Sequence, residues 1–118
     1  QPPAEPVEAD VVVALDTATQ ERVGRGVLQA VANVSEWINI DHHGTNPGYG
    51  HLNHVDAREP ATGQLVFELL KAGGFPVDDA VRQNLYVAIS TDTGSFQYPS
   101  TTARSHRIAA EMLDAGLD

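Results

Sequence analysis

Ile40-Asp41-His42-His43 joins a carboxylate to two adjacent imidazoles at the end of the apolar segment Trp37-Ile38-Asn39-Ile40, and Gly44 follows. Carboxylate oxygen and neutral imidazole nitrogen are ligands that divalent Zn, Mn or Fe accept. Two more acids stand in comparable places: Asp16 ends the run Val11-Val12-Val13-Ala14-Leu15, and Asp92 follows Leu85-Tyr86-Val87-Ala88-Ile89-Ser90-Thr91. Apolar runs that each end in an acid or an acid–His cluster imply a metal site, and this donor set implies metal-assisted hydrolysis.

These side chains need elements to carry them. Residues 11–15 are a continuous Val-rich run, the pattern of a parallel strand covered on both faces. At the carboxyl ends of such strands, α/β sheets bind their ligands. Asp16-Thr17-Ala18-Thr19 offers caps for a helix over residues 19–33, against which Gly24 and Gly26 count. Residues 36–40 are the next strand, giving a right-handed β–α–β unit. A Gly/Asn/Pro loop leads to a short edge strand at Asn53-His54-Val55-Asp56. Pro60 opens a helix over 61–72 with Leu65, Val66, Leu69 and Leu70 on one face, stopped by Gly73-Gly74. A helix from Asp78 to the region of Asp92 turns Val81, Leu85, Ala88 and Ile89 inward. Phe96-Gln97-Tyr98 reads as extended, and Ser100-Thr101-Thr102 caps a last helix with Ile108, Ala109, Met112 and Leu113 apolar.

The bulk numbers narrow the function. A chain of 118 residues with 42% hydrophobic content fits one domain able to bury a core. Without cysteine it has neither disulfides nor thiolate ligands. Seven basic against sixteen acidic residues, a net charge of −9, make a poor electrostatic footprint for gripping a long phosphate backbone. A nucleotide substrate remains compatible, because bound dications invert the local field. No apolar stretch approaches the roughly 20 residues a membrane-spanning helix needs. Residues 1–9 read as a Pro-rich, acidic linker or loop with neither the basic start nor the apolar core of a signal peptide. Lacking an initiator Met, the chain is expected to begin partway through something longer.

Each candidate has a plainer reading. Asp16 alone is as readily a helix cap as a ligand. Two adjacent histidines after an acid at a strand end are harder to dismiss. Neighbours on an extended chain point opposite ways, so His42 and His43 divide their work. One binds metal, and the other faces substrate or is held by a carboxylate. Asp92 precedes Thr93-Gly94, a helix-ending turn with Gly94 left-handed, where the helix dipole disfavours an acid unless a cation compensates. His51 and His54 are weaker candidates for ligand or substrate contact, and His106 reads as a surface or packing residue. Arg104 and Arg107 follow a Ser/Thr cluster at a helix start, which suits either a phosphate or a solvated face. Without a cation, Asp16, Asp41 and Asp92 would crowd like charges and raise at least one pKa.

Val11 to Thr17 (VVVALDT), Ile38 to Gly44 (INIDHHG), Ala61 to Leu70 (ATGQLVFELL) and Ile89 to Phe96 (ISTDTGSF), with Ser100-Thr101-Thr102 after them, resemble the DHH phosphoesterase superfamily. The likeness is to its RecJ-like branch of bacterial oligoribonucleases that are also 3′-phosphoadenosine 5′-phosphate phosphatases, and it runs from residue 10 almost to the end. It implies an α/β, Rossmann-like three-layer fold with a mostly parallel sheet, truncated at the N-terminus, and a cytoplasmic protein. Asp16 would bridge two divalent cations, Mn²⁺ with Mg²⁺ as alternative, and His42 and Asp92 would complete the second metal site. His43 would lie near the scissile phosphate, and Asp41 would orient the histidines. The substrate would be short RNA or a nucleotide, hydrolysed by two metals about 3.5–4 Å apart.

The family's first motif, His-x-x-x-Asp-x-Asp, and its C-terminal substrate domain find no counterpart in this sequence. Residues 10–118 are therefore expected to be a partial DHH domain with little activity alone, and a missing strand would leave a sheet edge open to homodimer pairing. Alternatives within the class are a cyclic-dinucleotide phosphodiesterase and a DHH inorganic pyrophosphatase. An alternative of another class is a catalytically silent interaction module.

Overall fold

The computed structural model describes residues 5–117, so the first four residues of the predicted linker lie outside it. The chain forms two compact units, one ending at Ala57 and one beginning at Arg58.

The first unit is built on a three-stranded parallel sheet: β1 (Val11–Leu15), β2 (Glu36–Asp41) and β3 (Leu52–Val55), in that order. Val and Ile favour this pleated backbone. Leu15 is level with Ile40, and Ile40 with His54. The ladder continues one residue further, where the Asp16 N–H donates to the Ile40 carbonyl at 3.0 Å. Asp16 therefore leaves β1 beside the end of β2, where Asp41 is the last strand residue.

Alternation along β2 buries Trp37, Asn39 and Asp41 on one face. Ala14, Val31, Val34 and Trp37 form the core there, with Val12, Val23, Leu28 and Tyr49 packed around them. β1 is not covered on both faces as its composition predicts: Val11, Val13 and Leu15 are exposed. It is an edge strand of this sheet, and the core of this unit contacts only the face that carries Ala14.

The helix expected over 19–33 is broken in two. A 3-10 turn spans Gln20–Val23 and a short helix, α1, spans Arg25–Ala30, joined at Gly24 with φ 97°. That dihedral is open to glycine and closed to a continuing helix.

The second unit holds α2 (Thr62–Ala72), α3 (Asp79–Asp92) and α4 (Ala103–Asp114). They pack around Ala61, Phe67, Leu85, Ile89, Ile108 and Met112. Phe67 takes the inward place predicted for Leu69, which is exposed, as is Leu113. Pro60 precedes the N-cap Ala61 instead of opening the first turn. Asp78 caps α3 by accepting the Val81 N–H at 2.9 Å. Thr102 and Ser105 form a reciprocal capping box on α4.

Phe96-Gln97-Tyr98 is not extended. Gly94, Ser95 and Phe96 all have positive φ (56°, 55° and 63°), and the Thr93 carbonyl accepts the N–H groups of Gln97 and Tyr98 at 3.0 Å each. The fold is thus α/β with a parallel sheet. Among the described residues no helix is long and apolar enough to cross a membrane.

Candidate metal centre

Asp16, His42 and His43 come together where β1 and β2 end. Each offers one ligand atom, and the three atoms lie within 4.8 Å of one another. His42 Nε2 faces Asp16 Oδ1 at 3.5 Å. Two ligands each about 2.0–2.2 Å from one cation stand at most about 4.4 Å apart, so this pair already has the separation of ligands sharing an ion. Asp16 adopts φ 57°, a left-handed conformation that Asp tolerates better than most residues. The turn directs its carboxylate to the histidines instead of onward along the strand.

Asp41 plays a different part. It is completely buried, and its Oδ1 lies 2.7 Å from His43 Nδ1. Its Oδ2 accepts from Asn46 Nδ2 at 2.6 Å. Burial pushes the Asp41 pKa up, but donors from Asn46, His43 and the His42 backbone outweigh it and hold the carboxyl below the ordinary range. The expected crowding of acids does not raise this group, because polar donors surround it. An ionised Asp41 can only accept, so His43 must donate through Nδ1. Its neutral ring then keeps the lone pair on Nε2. The two rings lie 4.6 Å apart, centre to centre, and inclined by 58°.

A buried polar network supports these groups, and it was not anticipated from the sequence. Asn46 Nδ2 also donates to Asn39 Oδ1 at 2.7 Å, and Asn39 Nδ2 donates to the Ala14 carbonyl at 3.3 Å and to Tyr49 Oη at 3.2 Å. Tyr49 Oη in turn lies 2.6 Å from Thr17 Oγ1. One signal was available: Asn39 and Asp41 share a strand face with Trp37, and polar groups buried there need partners.

Of the other candidates, His51 and His54 belong to the first unit and Asp92, Arg104 and His106 to the second. His51 brackets Trp37, accepting its N–H on Nδ1 at 3.2 Å and donating its own N–H to the Trp37 carbonyl at 2.7 Å. Trp37 lies near the start of β2, roughly 13 Å of strand from Asp41 at about 3.3 Å per residue. His54 is exposed on β3. In the second unit Asp92 is the last residue of α3. Arg104 is engaged by carboxylates, pairing with Glu59 at 2.9 Å and with Glu68. Both partners belong to its own unit. His106 stacks on Phe96 at 5.2 Å.

No protein-family model matches the chain. Individual proteins do. The chain is 40% identical over 106 residues to the bifunctional oligoribonuclease and PAP phosphatase NrnA of Thermus thermophilus, covering 90% of this chain and 31% of that protein. To the protein of the same name in Bacillus subtilis it is 30% identical over 112 residues, covering 92% and 35%. An exopolyphosphatase-related protein from Bacteroides fragilis superposes with a TM-score of 0.84 at 28% identity, over 94% of this chain and 33% of that one. The chain spans about a third of the length of these relatives. Matched in sequence along nearly its whole length and in fold at high similarity, the chain belongs to the DHH phosphoesterase family.

Proposed function

We propose that these residues carry the cation-binding core of a metal-dependent phosphoesterase. It hydrolyses phosphodiester or phosphomonoester bonds in short oligoribonucleotides or 3′,5′-bisphosphate nucleotides. The observation that carries this reading is the convergence of Asp16, His42 and His43 within 4.8 Å. The Asp16 oxygen and the His42 Nε2 at 3.5 Å suit Mn²⁺, with Mg²⁺ as the alternative, while the His43 nitrogen nearest Asp16, Nδ1 at 3.9 Å, carries the proton given to Asp41. Asp16 and His42 are the proposed ligands in this unit, and the sequence resemblance adds Asp92.

A divalent cation, when bound, lowers the pKa of a coordinated water and offsets charge on phosphoryl oxygens. The chain's own residues do the rest. Asp41 keeps the proton of His43 on Nδ1, so Nε2 is available to accept or return a proton, or to serve as a further ligand. The half-exposed His43 side chain is open to a phosphate. The relatives named as oligoribonucleases support the nucleotide substrate. The exopolyphosphatase-related neighbour favours a second reading, hydrolysis of a phosphoanhydride on the same centre.

The 118 residues alone are proposed to turn substrate over weakly, so the test is a chimera. These residues replace the matching segment of the Thermus thermophilus protein, and Mn²⁺-dependent hydrolysis is measured on short oligoribonucleotides, 3′-phosphoadenosine 5′-phosphate and polyphosphate. Retained activity on the first two supports the proposal, and activity on polyphosphate alone selects the second reading. A folded chimera with no hydrolysis, beside an active parent, overturns both.

A further inference from the structure

We propose that Asn46 is a positioning residue for His43: its side-chain amide holds the Asp41 carboxylate in the one orientation that fixes the His43 proton on Nδ1. The proposal rests on the metal-centre reading only for why that proton matters to function. The geometry stands on its own.

Asn46 Nδ2 faces three acceptors: Asp41 Oδ2 at 2.6 Å, Asn39 Oδ1 at 2.7 Å and the Thr17 carbonyl at 3.4 Å. Its Oδ1 accepts the Gly48 N–H at 2.8 Å. Exchanging the amide's oxygen and nitrogen would set an oxygen against all three acceptors and an NH₂ against a donor, so the orientation is determined. Two amide protons serve the two short contacts.

The Asp41 oxygens are divided between partners, Oδ1 to His43 and Oδ2 to Asn46. Rotating the carboxylate breaks both bonds, and solvent has no access to replace either, since Asp41 is fully buried. Asn39, also fully buried, fixes Asn46 from the other side and is itself tied to β1 through the Ala14 carbonyl. One chain of polar contacts thus runs from β1 through Asn39, Asn46 and Asp41 to His43. The loop turn has a separate support, the Asn46 N–H donating to the His43 carbonyl at 3.0 Å. That backbone bond survives a side-chain substitution, so the amide can be removed without deleting the turn.

The test is imidazole ¹⁵N NMR on the 118-residue chain above about pH 8, where histidine is neutral. Wild type, N46A, N46D and Y49F are compared. The expected result is an Nδ1–H tautomer for His43 in wild type and in Y49F. In N46A and N46D the ring shifts to a majority of Nε2–H, the form a histidine favours in water. A merely structural Asn46 would lower the melting temperature and leave the tautomer unmoved. An Nε2–H ring in wild type, or an Nδ1–H ring retained in both Asn46 variants, overturns the proposal. Should neither variant fold, exchange of the Asn46 amide protons in wild type decides: protection supports it, and exchange at the rate of an exposed amide overturns it. Tautomer and exchange are read without metal or substrate, so this proposal and the hydrolase reading can fail separately.

Discussion

His42 Nε2 lies 3.5 Å from Asp16 Oδ1, and the two residues reach each other because β1 and β2 run parallel and end within one residue of each other. Strand pairing brings the two chain segments side by side, and the left-handed turn at Asp16, just past β1, aims its carboxylate at His42, just past β2. Four consequences can be measured.

Asp16→Asn removes the anionic ligand without adding strain, since Asn also tolerates the left-handed φ of 57°. Urea unfolding is expected to change by no more than about 0.5 kcal/mol, while Mn²⁺ affinity measured by calorimetry falls at least about tenfold. Asp16→Val should instead cost about 1–3 kcal/mol in folding, because a β-branched residue is forced to positive φ. Equal losses of stability in both variants would refute the distinction.

Asp41→Asn should cost about 1–3 kcal/mol at neutral pH, as a buried acceptor is lost between two donors. Its folded pKa lies below the unfolded value. The stability it contributes is therefore fully present above about pH 4 and disappears as pH falls through the lower folded value. Unfolding curves of wild type and variant should converge as pH falls below about 4. A gap that widens below about pH 4 would contradict the direction assigned.

Gly50→Ala should loosen β3. A Cβ there would meet the Leu52 carbonyl at 2.7 Å and the Asn39 N and Trp37 carbonyl at 3.0 Å, all backbone atoms that cannot rotate away. The expected loss is about 1–3 kcal/mol, with faster hydrogen exchange in residues 52–55. Unchanged exchange in β3 would show that the close approach is relaxed at little cost.

Arg104→Ala should leave Mn²⁺ affinity unchanged and lower stability by no more than about 1 kcal/mol, as the Arg104 side chain is half exposed. A tenfold weaker cation or phosphate binding would return Arg104 to the binding machinery.

β1 was readable because it is apolar and β-branched throughout and it matches its prediction, β2 extends its prediction by one residue to include Asp41, and β3 lies one residue earlier than predicted. Asp92 ends its helix as read, and Thr102 caps the last one. Local dihedrals defeated the rest. Gly24 breaks one helix, and the left-handed run at residues 94–96 folds a segment whose composition looked extended. The Asp-His-His cluster announced itself through residue type. Asn46, Asn39 and Tyr49 did not, because their partners arrive only when β1, β2 and the following loop assemble. A polar pair at alternate positions of a buried strand face was the one trace they left.

Thermal unfolding of the chain with and without Mn²⁺, for wild type, D16N and H42A, shows whether Asp16 and His42 hold a cation. A cation at ten times its Kd stabilises the native state by about 1.4 kcal/mol, several degrees for a chain of this size. That rise is expected in wild type and is lost in both variants. A wild-type midpoint indifferent to millimolar Mn²⁺, or an equal rise in all three proteins, would contradict it.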